Sequence, residues 1–430
     1  MSEEFNKKYG LGTLAIHAGQ VADPVTGSRA LPIHQTTCYT FKNAEYAAEI
    51  FALNIPGWIY TRLQNPTNDA FEQRMAALDG GIGAVATASG MQAILVSLLN
   101  LARCGEHIVS AAALYGGTVT LLTQTFPKFG IQSTLVNATD LAQIEQAIRP
   151  NTRAIYLESL ANPKNDVLEY DKIADLAHQY DIPVVIDNTV LTPALFKPFD
   201  YGCDISVSSC TKYICGHGTS MGGVIVDSGN FDWSKNPDKW YQFMKPDQSY
   251  HGLVFHEKFG QNCYLAACRT NWMRDLGGCI SPFNSFLMLQ GLETLHLRMP
   301  VHSQNAQKLA EFLERHPKVS TVNYPGLPSH QFHNLAAKYF PNGCSGVLGF
   351  NIVGGREAGQ KFIENVKLAS HVANLGDAKT LVVHPASTTH SQLTDEELIQ
   401  AGIGPDFVRV SVGIEDINDI IADMDQALNA

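Results

Sequence analysis

Between about residues 84 and 226, short β-rich runs alternate with helical patterns, and no other feature of the sequence constrains the fold as strongly. Strands alternating with helices build a mainly parallel sheet that helices cover. A helical face between two of these runs is spaced at i, i+3, i+4 and i+7 and consists of Ile173, Leu176, Ala177 and Tyr180. We predict strands at 84–87, 107–109, 154–157, 184–186, 205–207 and 224–226. The sequence therefore predicts an α/β domain here.

After about residue 283, the pattern changes to longer helices and fewer strands. We predict one long helix from Ser285 to Arg315 and a closing helix whose apolar stripe runs from Ile417 to Leu428. The strands predicted in this part lie at 346–352, 380–383 and 408–412. A smaller α/β C-terminal domain at 284–430 would then follow a larger domain at 61–283. Residues 1–60 have no strong periodicity, so we expect an arm there and not a domain.

Aromatic residues concentrate in an irregular segment at 227–280, which holds three of the four tryptophans. Such a cluster typically forms a local core or a subunit contact, and we favour this over a ligand site. Its members are Trp233, Trp240, Tyr241, Phe243, Tyr250, Phe255, Phe259, Tyr264 and Trp272.

Charge and composition exclude several classes of partner. The formal net charge is -11, and no basic run is present that would attract nucleic acid or an anionic membrane surface. No apolar stretch approaches the length of a membrane span, and the first residues lack the order of a secretory signal. Nine cysteines without a paired C-x-x-C framework suit a reducing compartment, so we expect a cytoplasmic protein.

A metal site is not expected. Cys210, Cys215 and His217 could be drawn as ligands, but a structural zinc site usually takes four, and the sequence offers no fourth nearby.

Two predicted strands are followed by an acid and a lysine that could share one site. Asp187 follows the strand at 184–186, and Lys212 follows the strand at 205–207. Ligands of open α/β sheets bind beyond the carboxyl ends of the strands. This pair suits pyridoxal phosphate (PLP), because a PLP enzyme needs a lysine that forms an imine with the cofactor and an acid that keeps the pyridine nitrogen protonated. Ser209 and Thr211 could donate hydroxyls to the phosphate. The alternative is that Asp187 caps a turn and Lys212 is solvated.

A second segment favours the PLP interpretation. The strand at 84–87 runs through Gly90 and Met91 into a helical pattern, and the free N–H groups of such a helix start can bind a phosphate. The segment lacks the glycine spacing of dinucleotide folds and of P-loops, which disfavours NAD and ATP. Downstream, Tyr115 precedes two glycines and could lie flat against a heteroaromatic ring; the alternative is a core tyrosine.

Taken together, these segments resemble the cystathionine-synthase-like family of PLP enzymes of cysteine and methionine metabolism, over nearly the whole chain. The resemblance implies the type I, aspartate aminotransferase-like fold of PLP-dependent transferases. The matching motifs are Tyr60-Thr61-Arg62-x-x-Asn65-Pro66-Thr67, Ser89-Gly90-Met91-Gln92-Ala93, Tyr115-Gly116-Gly117-Thr118, Glu158-Ser159-x-x-Asn162-Pro163, Asp187-Asn188-Thr189, Ser209-x-Thr211-Lys212-Tyr213, His384-Pro385-Ala386-Ser387 and Arg409-Val410-Ser411-Val412-Gly413.

The resemblance assigns cofactor roles to residues of this chain. It implies that Lys212 binds PLP covalently and shuttles protons, that Asp187 binds the pyridine nitrogen, and that Tyr115 stacks on the ring and acts as an acid near the leaving group. The residues that it implies for the phosphate are Gly90, Met91, Ser209 and Thr211.

Substrate roles and a second chain also follow from the resemblance. Arg409 would bind the substrate α-carboxylate in a bidentate fork, with Ser387 and Asn162 nearby. Tyr60 and Arg62 would reach the phosphate of the neighbouring subunit's cofactor, with Tyr60 also close to the substrate. We therefore expect a homo-oligomer whose active sites each need two chains. It is either a dimer or, as is usual in the family, a tetramer of two dimers.

Three features are similar to the sulfhydrylase branch of this family. These are the long aromatic segment, the run at 376–391, and Gly117, where methionine γ-lyases typically have a cysteine. The resemblance then implies replacement of the acetate of O-acetyl-L-homoserine by sulfide, which gives L-homocysteine. A methionine γ-lyase or a cystathionine γ-synthase on the same scaffold remains the alternative. A non-catalytic binding scaffold is disfavoured by the presence together of Lys212, Asp187 and Arg409.

Two departures from the family pattern lie beside the lysine. Many members have histidine at the position of Ser208 and glycine at that of Cys215. The lysine and the hydroxyls are present, so the departures bear on fine tuning, and on sensitivity to thiol oxidation if Cys210 or Cys215 is exposed.

Overall fold

The computed structural model describes residues 8–162, 164–388, 394–396 and 403–430. Three parts of the predictions lie outside this range: the first seven residues of the arm, Pro163, and the end of the 376–391 run.

A seven-stranded sheet forms the larger part of the molecule, in the order β1-β7-β6-β5-β4-β2-β3. Strands β3, β2, β4, β5 and β6 are parallel, whereas β7 is antiparallel to both of its neighbours. A mainly parallel sheet was predicted, and this is confirmed. The strands are Gly83–Thr87 (β1), His107–Ala111 (β2), Gln132–Val136 (β3), Thr152–Glu158 (β4), Val184–Asp187 (β5), Ile205–Ser209 (β6) and Gly223–Asp227 (β7).

All six predicted strands of this sheet are present, each extended by one to three residues. Strand β3 was not predicted. It lies at the edge of the sheet, and its residues are exposed or half-buried and include Gln132, Ser133 and Thr134. Without a buried face, the sequence of this strand carries little of the apolar signal by which strands are recognised.

Local signals explain where the helix Pro66–Asp79 begins and ends. Asn65 accepts a hydrogen bond from the Thr67 amide at 2.9 Å, Pro66 occupies the first turn, and Gly80 ends the helix with φ 83°. Within residues 8–162, 164–388 and 403–430, the α-helices are Leu11–His17, Ala44–Phe51, Pro66–Asp79, Gly90–Leu99, Gly116–Thr120, Leu141–Ala147, Tyr170–Gln179, Thr192–Leu195, Tyr241–Met244, Phe255–Phe259, Cys263–Ala267, Arg274–Leu276, Pro282–Glu293, Leu295–Glu314, His333–Tyr339, Gly355–Asn365 and Ile417–Leu428. None of these helices is long and apolar enough to cross a membrane.

A second sheet of five strands follows, in the order β10-β11-β12-β9-β8. It contains the three strands predicted after residue 283. In β12, Arg409 stands opposite Gly349 on one side and Val383 on the other. The strands are Val319–Asn323 (β8), Val347–Ile352 (β9), Ser370–His371 (β10), Leu381–Val383 (β11) and Phe407–Ser411 (β12).

The single helix predicted from Ser285 to Arg315 is wrong. Two helices, Pro282–Glu293 and Leu295–Glu314, meet at Thr294, whose φ of -110° and ψ of 2° interrupt the helical backbone. Arg298 stabilises the break, because its guanidinium donates to the Gly291 carbonyl at 2.7 Å and to the Thr294 hydroxyl at 3.1 Å. The apolar spacing continues across the break, so the sequence pattern did not reveal it. The division into domains near residue 283 remains a prediction.

The N-terminal arm contains more regular structure than its sequence indicated. The helices Leu11–His17 and Ala44–Phe51 are only two turns long, too short to give a strong periodic signal. Leu14 and Ala15 are buried, and Arg74 donates to the Ala18 carbonyl at 2.8 Å. The arm is therefore attached to the helix Pro66–Asp79.

The aromatic segment at 227–280 forms a local core, as we favoured. Trp233 and Trp240 are fully buried, with ring centroids 5.0 Å apart and planes nearly perpendicular. Trp233 also stacks on Tyr264 at 5.6 Å. Arrangements of this kind are favourable for aromatic pairs.

Candidate active site

A cavity of about 260 Å³ lies where strands β4, β5 and β6 end. The last residues of these strands are Glu158, Asp187 and Ser209, and all three line the cavity. This is the position at which α/β sheets bind ligands. Nine predicted site residues line it: Gly90, Met91, Tyr115, Asn162, Asp187, Ser209, Thr211, Lys212 and Arg409.

Lys212 lies in the turn after β6. Its amide donates to the Ser209 carbonyl at 3.2 Å, and its own carbonyl accepts from the Gly216 amide at 2.8 Å. The side-chain Nζ donates to Oδ1 of Asn374. Burial, assisted by the charge of Arg409, lowers the pKa of Lys212 from its usual value. A larger fraction of the amine is then neutral, which is the form that attacks a carbonyl and accepts a proton.

Asp187 is held at the end of β5 by the residues around it. Its Oδ1 accepts from the Thr189 amide at 2.9 Å, and the Tyr156 hydroxyl lies 3.4 Å from Oδ2. Burial raises the pKa of Asp187, although the Thr189 hydrogen bonds oppose this. The alternative, that Asp187 serves only to cap a turn, accounts for the Thr189 contact but not for the position of the carboxyl on the cavity.

Glu158 places a second carboxyl beside Asp187. The two residues are register partners on β4 and β5. Oε1 of Glu158 accepts from the Tyr115 amide at 2.6 Å. Burial and the neighbouring Asp187 together raise the pKa of Glu158 well above its usual value. Glu158 is therefore the member of the pair that favours the neutral form, and it fixes the backbone of Tyr115.

The helix Gly90–Leu99 begins at the cavity wall. Ser89 caps it by accepting from the Gln92 amide at 3.2 Å. A Cβ at position 90 would lie 2.5 Å from Cβ and 2.8 Å from Cα of Ser209, so only glycine fits. The helix start and Ser209 are thereby brought together, with Thr211 also on the cavity wall. This cradle fits a phosphate, because it combines free helix N–H groups with hydroxyls.

Tyr115 is not a core residue, since 54% of it is exposed and it lines the cavity. Its side chain lies against Gly117, where a Cβ would come within 2.5 Å of Cε1 of the ring. A side chain at position 117 would therefore displace the ring from this position.

Arg409 reaches the cavity from β12 of the second sheet. Nη2 donates to the Asn374 carbonyl at 2.9 Å, and Nη1 lies 3.4 Å from Oδ1 of Asn162. Burial lowers the pKa of Arg409 to about 10, and its Nε has no hydrogen-bond partner among the described residues. A half-buried guanidinium whose Nε is buried and unused as a donor is suited to a carboxylate ligand.

Three predicted residues do not line this cavity. Ser387 lies in a turn, where its hydroxyl is 2.9 Å from Nδ1 of His384. Tyr60 is 42% exposed, and the guanidinium of Arg62 lies 5.5 Å from the centroid of its ring. Arg62 also donates to the Arg274 carbonyl. Their roles remain predictions.

Among the other lining residues, Asn374 and Met221 carried no signal in the sequence. Glu158 and Thr189 stand in the matched motifs, but we assigned no role to them. Their place at strand ends beside Asp187 was the signal that could have identified them.

The cysteines near Lys212 are not exposed. Cys210 and Cys215 are both buried, and burial raises the pKa of the Cys210 thiol well above its usual value. The condition for easy oxidation is therefore not met. His217 points its Nδ1 at the Cys215 carbonyl, 2.6 Å away. Within the described ranges, no three metal-ligating side chains come together.

These features fit PLP. Lys212 can bind its aldehyde, Asp187 can hold the ring nitrogen, and the Gly90 cradle, which a Cβ would fill, leaves room for the phosphate. The fold and the cavity together define a PLP-dependent enzyme of fold type I.

Comparison with known proteins identifies the family. The model of the Cys/Met metabolism PLP-dependent enzymes matches residues 12–429, and the chain belongs to this family. A homocysteine synthase of Schizosaccharomyces pombe is 51% identical, and the match covers 97% of each chain. An O-acetyl-L-homoserine sulfhydrylase of Leptospira meyeri is 49% identical, over 97% of this chain and 96% of its own.

A solved structure supports the same assignment. It is that of a Campylobacter jejuni protein assigned as an O-acetylhomoserine (thiol)-lyase, which carries N'-pyridoxyl-lysine-5'-monophosphate. Its TM-score is 0.94 at 42% identity, covering 98% of this chain and all of that one. The predicted fold class and the predicted cofactor are confirmed.

Proposed function

We propose that this enzyme converts O-acetyl-L-homoserine and sulfide into L-homocysteine and acetate. The observation that carries the reaction class is the meeting of Lys212, Asp187 and Arg409 at one cavity. The choice of substrates is supported by relatives named homocysteine synthase and O-acetyl-L-homoserine sulfhydrylase, at 51% and 49% identity over nearly the full length.

Arg409 orients the substrate. Its guanidinium binds the α-carboxylate of the homoserine ester, with the unpartnered Nε as an available donor and the Asn162 carboxamide beside Nη1. The substrate carboxylate also supplies hydrogen-bond acceptors in place of the water that burial has removed from the guanidinium. This contact directs the Cα–H bond of the substrate toward Lys212.

PLP, when bound, supplies an electron sink that makes the protons on Cα and then Cβ of the substrate acidic. The Lys212 amine, with its lowered pKa, removes the Cα proton. Lys212 would hand this proton to the bound cofactor, which frees the amine to remove a proton from Cβ as acetate leaves Cγ, and Tyr115 at the cavity protonates the leaving oxygen. Hydrosulfide then adds to Cγ, and Lys212 returns one proton to Cβ and one to Cα. Tyr115 recovers its proton as the released acetic acid ionises, so the net change is hydrosulfide for acetate.

Asp187 keeps the pyridine nitrogen protonated, which maintains the sink. Burial strengthens this charge interaction because water does not screen it. Glu158 assists by fixing the Tyr115 backbone. Gly90, Met91, Ser209 and Thr211 bind the phosphate.

Product analysis tests the proposal. The purified enzyme is supplied with PLP and offered O-acetyl-L-homoserine with sulfide, and in parallel L-methionine, or O-acetyl-L-homoserine with cysteine. We expect homocysteine to form fastest. Faster release of 2-oxobutyrate from methionine would identify a γ-lyase, and faster formation of cystathionine would identify a cystathionine γ-synthase.

We propose further that the enzyme is a homotetramer and that each active site uses two chains. The exposure of Tyr60 and the position of Arg62 away from the chain's own cavity support this. Inactive Lys212→Ala chains and Arg62→Ala chains, which should bind PLP more weakly, are mixed after reversible dissociation and assayed at a PLP concentration too low to load the Arg62→Ala sites. In a statistical mixture of symmetric dimers, about a quarter of the sites would combine an intact Lys212 with an intact Arg62, so activity should rise above that of the Arg62→Ala chains alone. If mixing raised nothing while hybrids formed, shared sites would be excluded.

A cytoplasmic location is also proposed. It is supported by the nine cysteines, all of which are free. Fractionation of producing cells, with the protein detected by antibody, would contradict the proposal if the enzyme appeared outside the cytoplasmic fraction.

A further inference from the structure

Asn374 lies where a segment of the second sheet passes against the lysine turn. The segment connects β10 to β11, and Ala373, Asn374 and Leu375 line the cavity. Gly376 follows with φ 77°, and a Cβ there would lie 3.1 Å from Cα of Lys212. The Gly376 amide donates to the Ser411 hydroxyl at 2.9 Å. The position of Asn374 is therefore fixed by close backbone packing.

The two ends of Asn374 contact two different functional residues. Its side-chain Oδ1 accepts a hydrogen bond from Nζ of Lys212. Its backbone carbonyl accepts from Nη2 of Arg409 at 2.9 Å. One residue thus joins the amine that moves protons to the guanidinium that binds the substrate.

A carboxamide is suited to hold an amine that must change its protonation state. Its oxygen stabilises an ammonium group by a hydrogen bond but carries no full charge. A carboxylate at the same distance would pair with the ammonium and hold it protonated. The neutral oxygen therefore opposes only in part the burial that favours the neutral amine.

We propose that Asn374 is a positioning residue that holds the Lys212 amine at the cavity whenever the lysine is not bound to the cofactor. Through its backbone carbonyl, which accepts from Arg409, the same residue also holds the Lys212 amine in a fixed position relative to the Arg409 guanidinium. The role in turnover rests on the proposed function, but the contact itself belongs to the cofactor-free chain.

The first test titrates Lys212 in the full-length enzyme after removal of the cofactor. The chain is labelled with a trace of acetic anhydride at a series of pH values, and the Lys212 peptide is quantified by mass spectrometry. Asn374→Ala removes the acceptor and should lower the pKa of Lys212, whereas Asn374→Asp should raise it. Asn284→Ala is the matched control, because Asn284 donates to the Met221 carbonyl at the cavity wall and is not a contact of Lys212.

Opposite shifts for the two variants, with none for the control, would support the proposal. It would be overturned if both variants titrated like the wild type, or if both shifted in the same direction as a general disturbance would cause. Asn374→Ser retains an oxygen acceptor, replaces the alanine variant if that fails to fold, and should give a smaller shift.

The second test separates positioning from substrate binding. Because Arg409 contacts the backbone carbonyl, Asn374→Ala should leave KM for the homoserine ester nearly unchanged and lower kcat about tenfold, as expected for one lost hydrogen bond to a charged group. A rise in KM alone would contradict the proposal. If no homocysteine formed even in the wild type, the proposed function would fail, whereas the titration of Lys212 would still decide the role of Asn374.

Discussion

The inner and outer parts of the predicted site differ in how the chain holds them. The inner part, around Lys212 and Asp187, lies at strand ends, is half-buried, and is connected by the chain's own hydrogen bonds. The outer part, Tyr60 and Arg62, is predicted to bind the cofactor phosphate of the neighbouring subunit, and neither residue lines this chain's own cavity. One chain is sufficient to place the inner residues, and the outer ones are consistent with action on another copy.

The outer part is nevertheless firmly attached. Asn65 is fully buried, and its side-chain nitrogen donates to the His34 carbonyl at 2.8 Å and to the Tyr39 hydroxyl at 2.9 Å. The backbone of Tyr60 pairs with Cys38. These contacts fix the segment that carries Tyr60 and Arg62, and both side chains are exposed. A residue that acts on a neighbouring chain needs a position that is both fixed and exposed.

Loss of the lysine should have the largest effect on the inner part. Lys212→Ala removes both the covalent attachment of PLP and the base, so kcat should fall by at least about 1,000-fold. The absorbance of lysine-bound PLP should disappear as well. Lys172→Ala, which removes an exposed lysine paired with Glu169, is the control and should change neither. An active, coloured Lys212→Ala enzyme would contradict the site.

Loss of the charge on Asp187 should have the next largest effect. Asp187→Asn keeps the shape but not the charge that holds the ring nitrogen protonated, so kcat should fall about 100-fold, in the range of one charged hydrogen bond. Steady-state kinetics would measure this, with the exposed Asp238→Asn as control. A variant with wild-type kcat would show that Asp187 only shapes the turn.

The inner part could be predicted because strand ends and glycines are visible in a sequence. Asp187, Lys212 and Gly90 each stand where a strand ends or a helix begins. Asn374 could not be predicted, because it comes from a connection in the second sheet, and only the packing of Gly376 on Lys212 brings it to the cavity. The edge strand β3 escaped prediction because it carries little apolar signal, and the break at Thr294 escaped it because the apolar spacing continues across the break.

Gly90 tests how tightly the inner part is packed. In Gly90→Ala the new methyl group would meet Cα of Ser209, a backbone atom that cannot rotate away. The free energy of unfolding should fall by about 1–3 kcal/mol, as for an overpacked core, and the affinity for PLP should fall with it. Chemical denaturation and cofactor titration measure the two effects. Gly10→Ala, where no atom lies within 4 Å of the new methyl group, is the control. An unchanged stability would show that the helix start and β6 can separate at little cost.

Arg62 tests the outer part, where we expect the smallest effect and the clearest contrast with Gly90. Arg62→Ala removes an exposed guanidinium whose own-chain hydrogen bond goes to the Arg274 carbonyl, so the unfolding transition of the single chain should stay in place. If Arg62 binds the partner's cofactor phosphate as proposed, the dissociation constant for PLP should nevertheless rise about tenfold, because one charged hydrogen bond is lost. Arg315→Ala, which removes an exposed side chain just after the helix Leu295–Glu314, should leave both quantities unchanged. A loss of stability without a loss of affinity would mean that Arg62 serves its own chain, and the distinction between an inner, single-chain part and an outer, shared part would no longer hold.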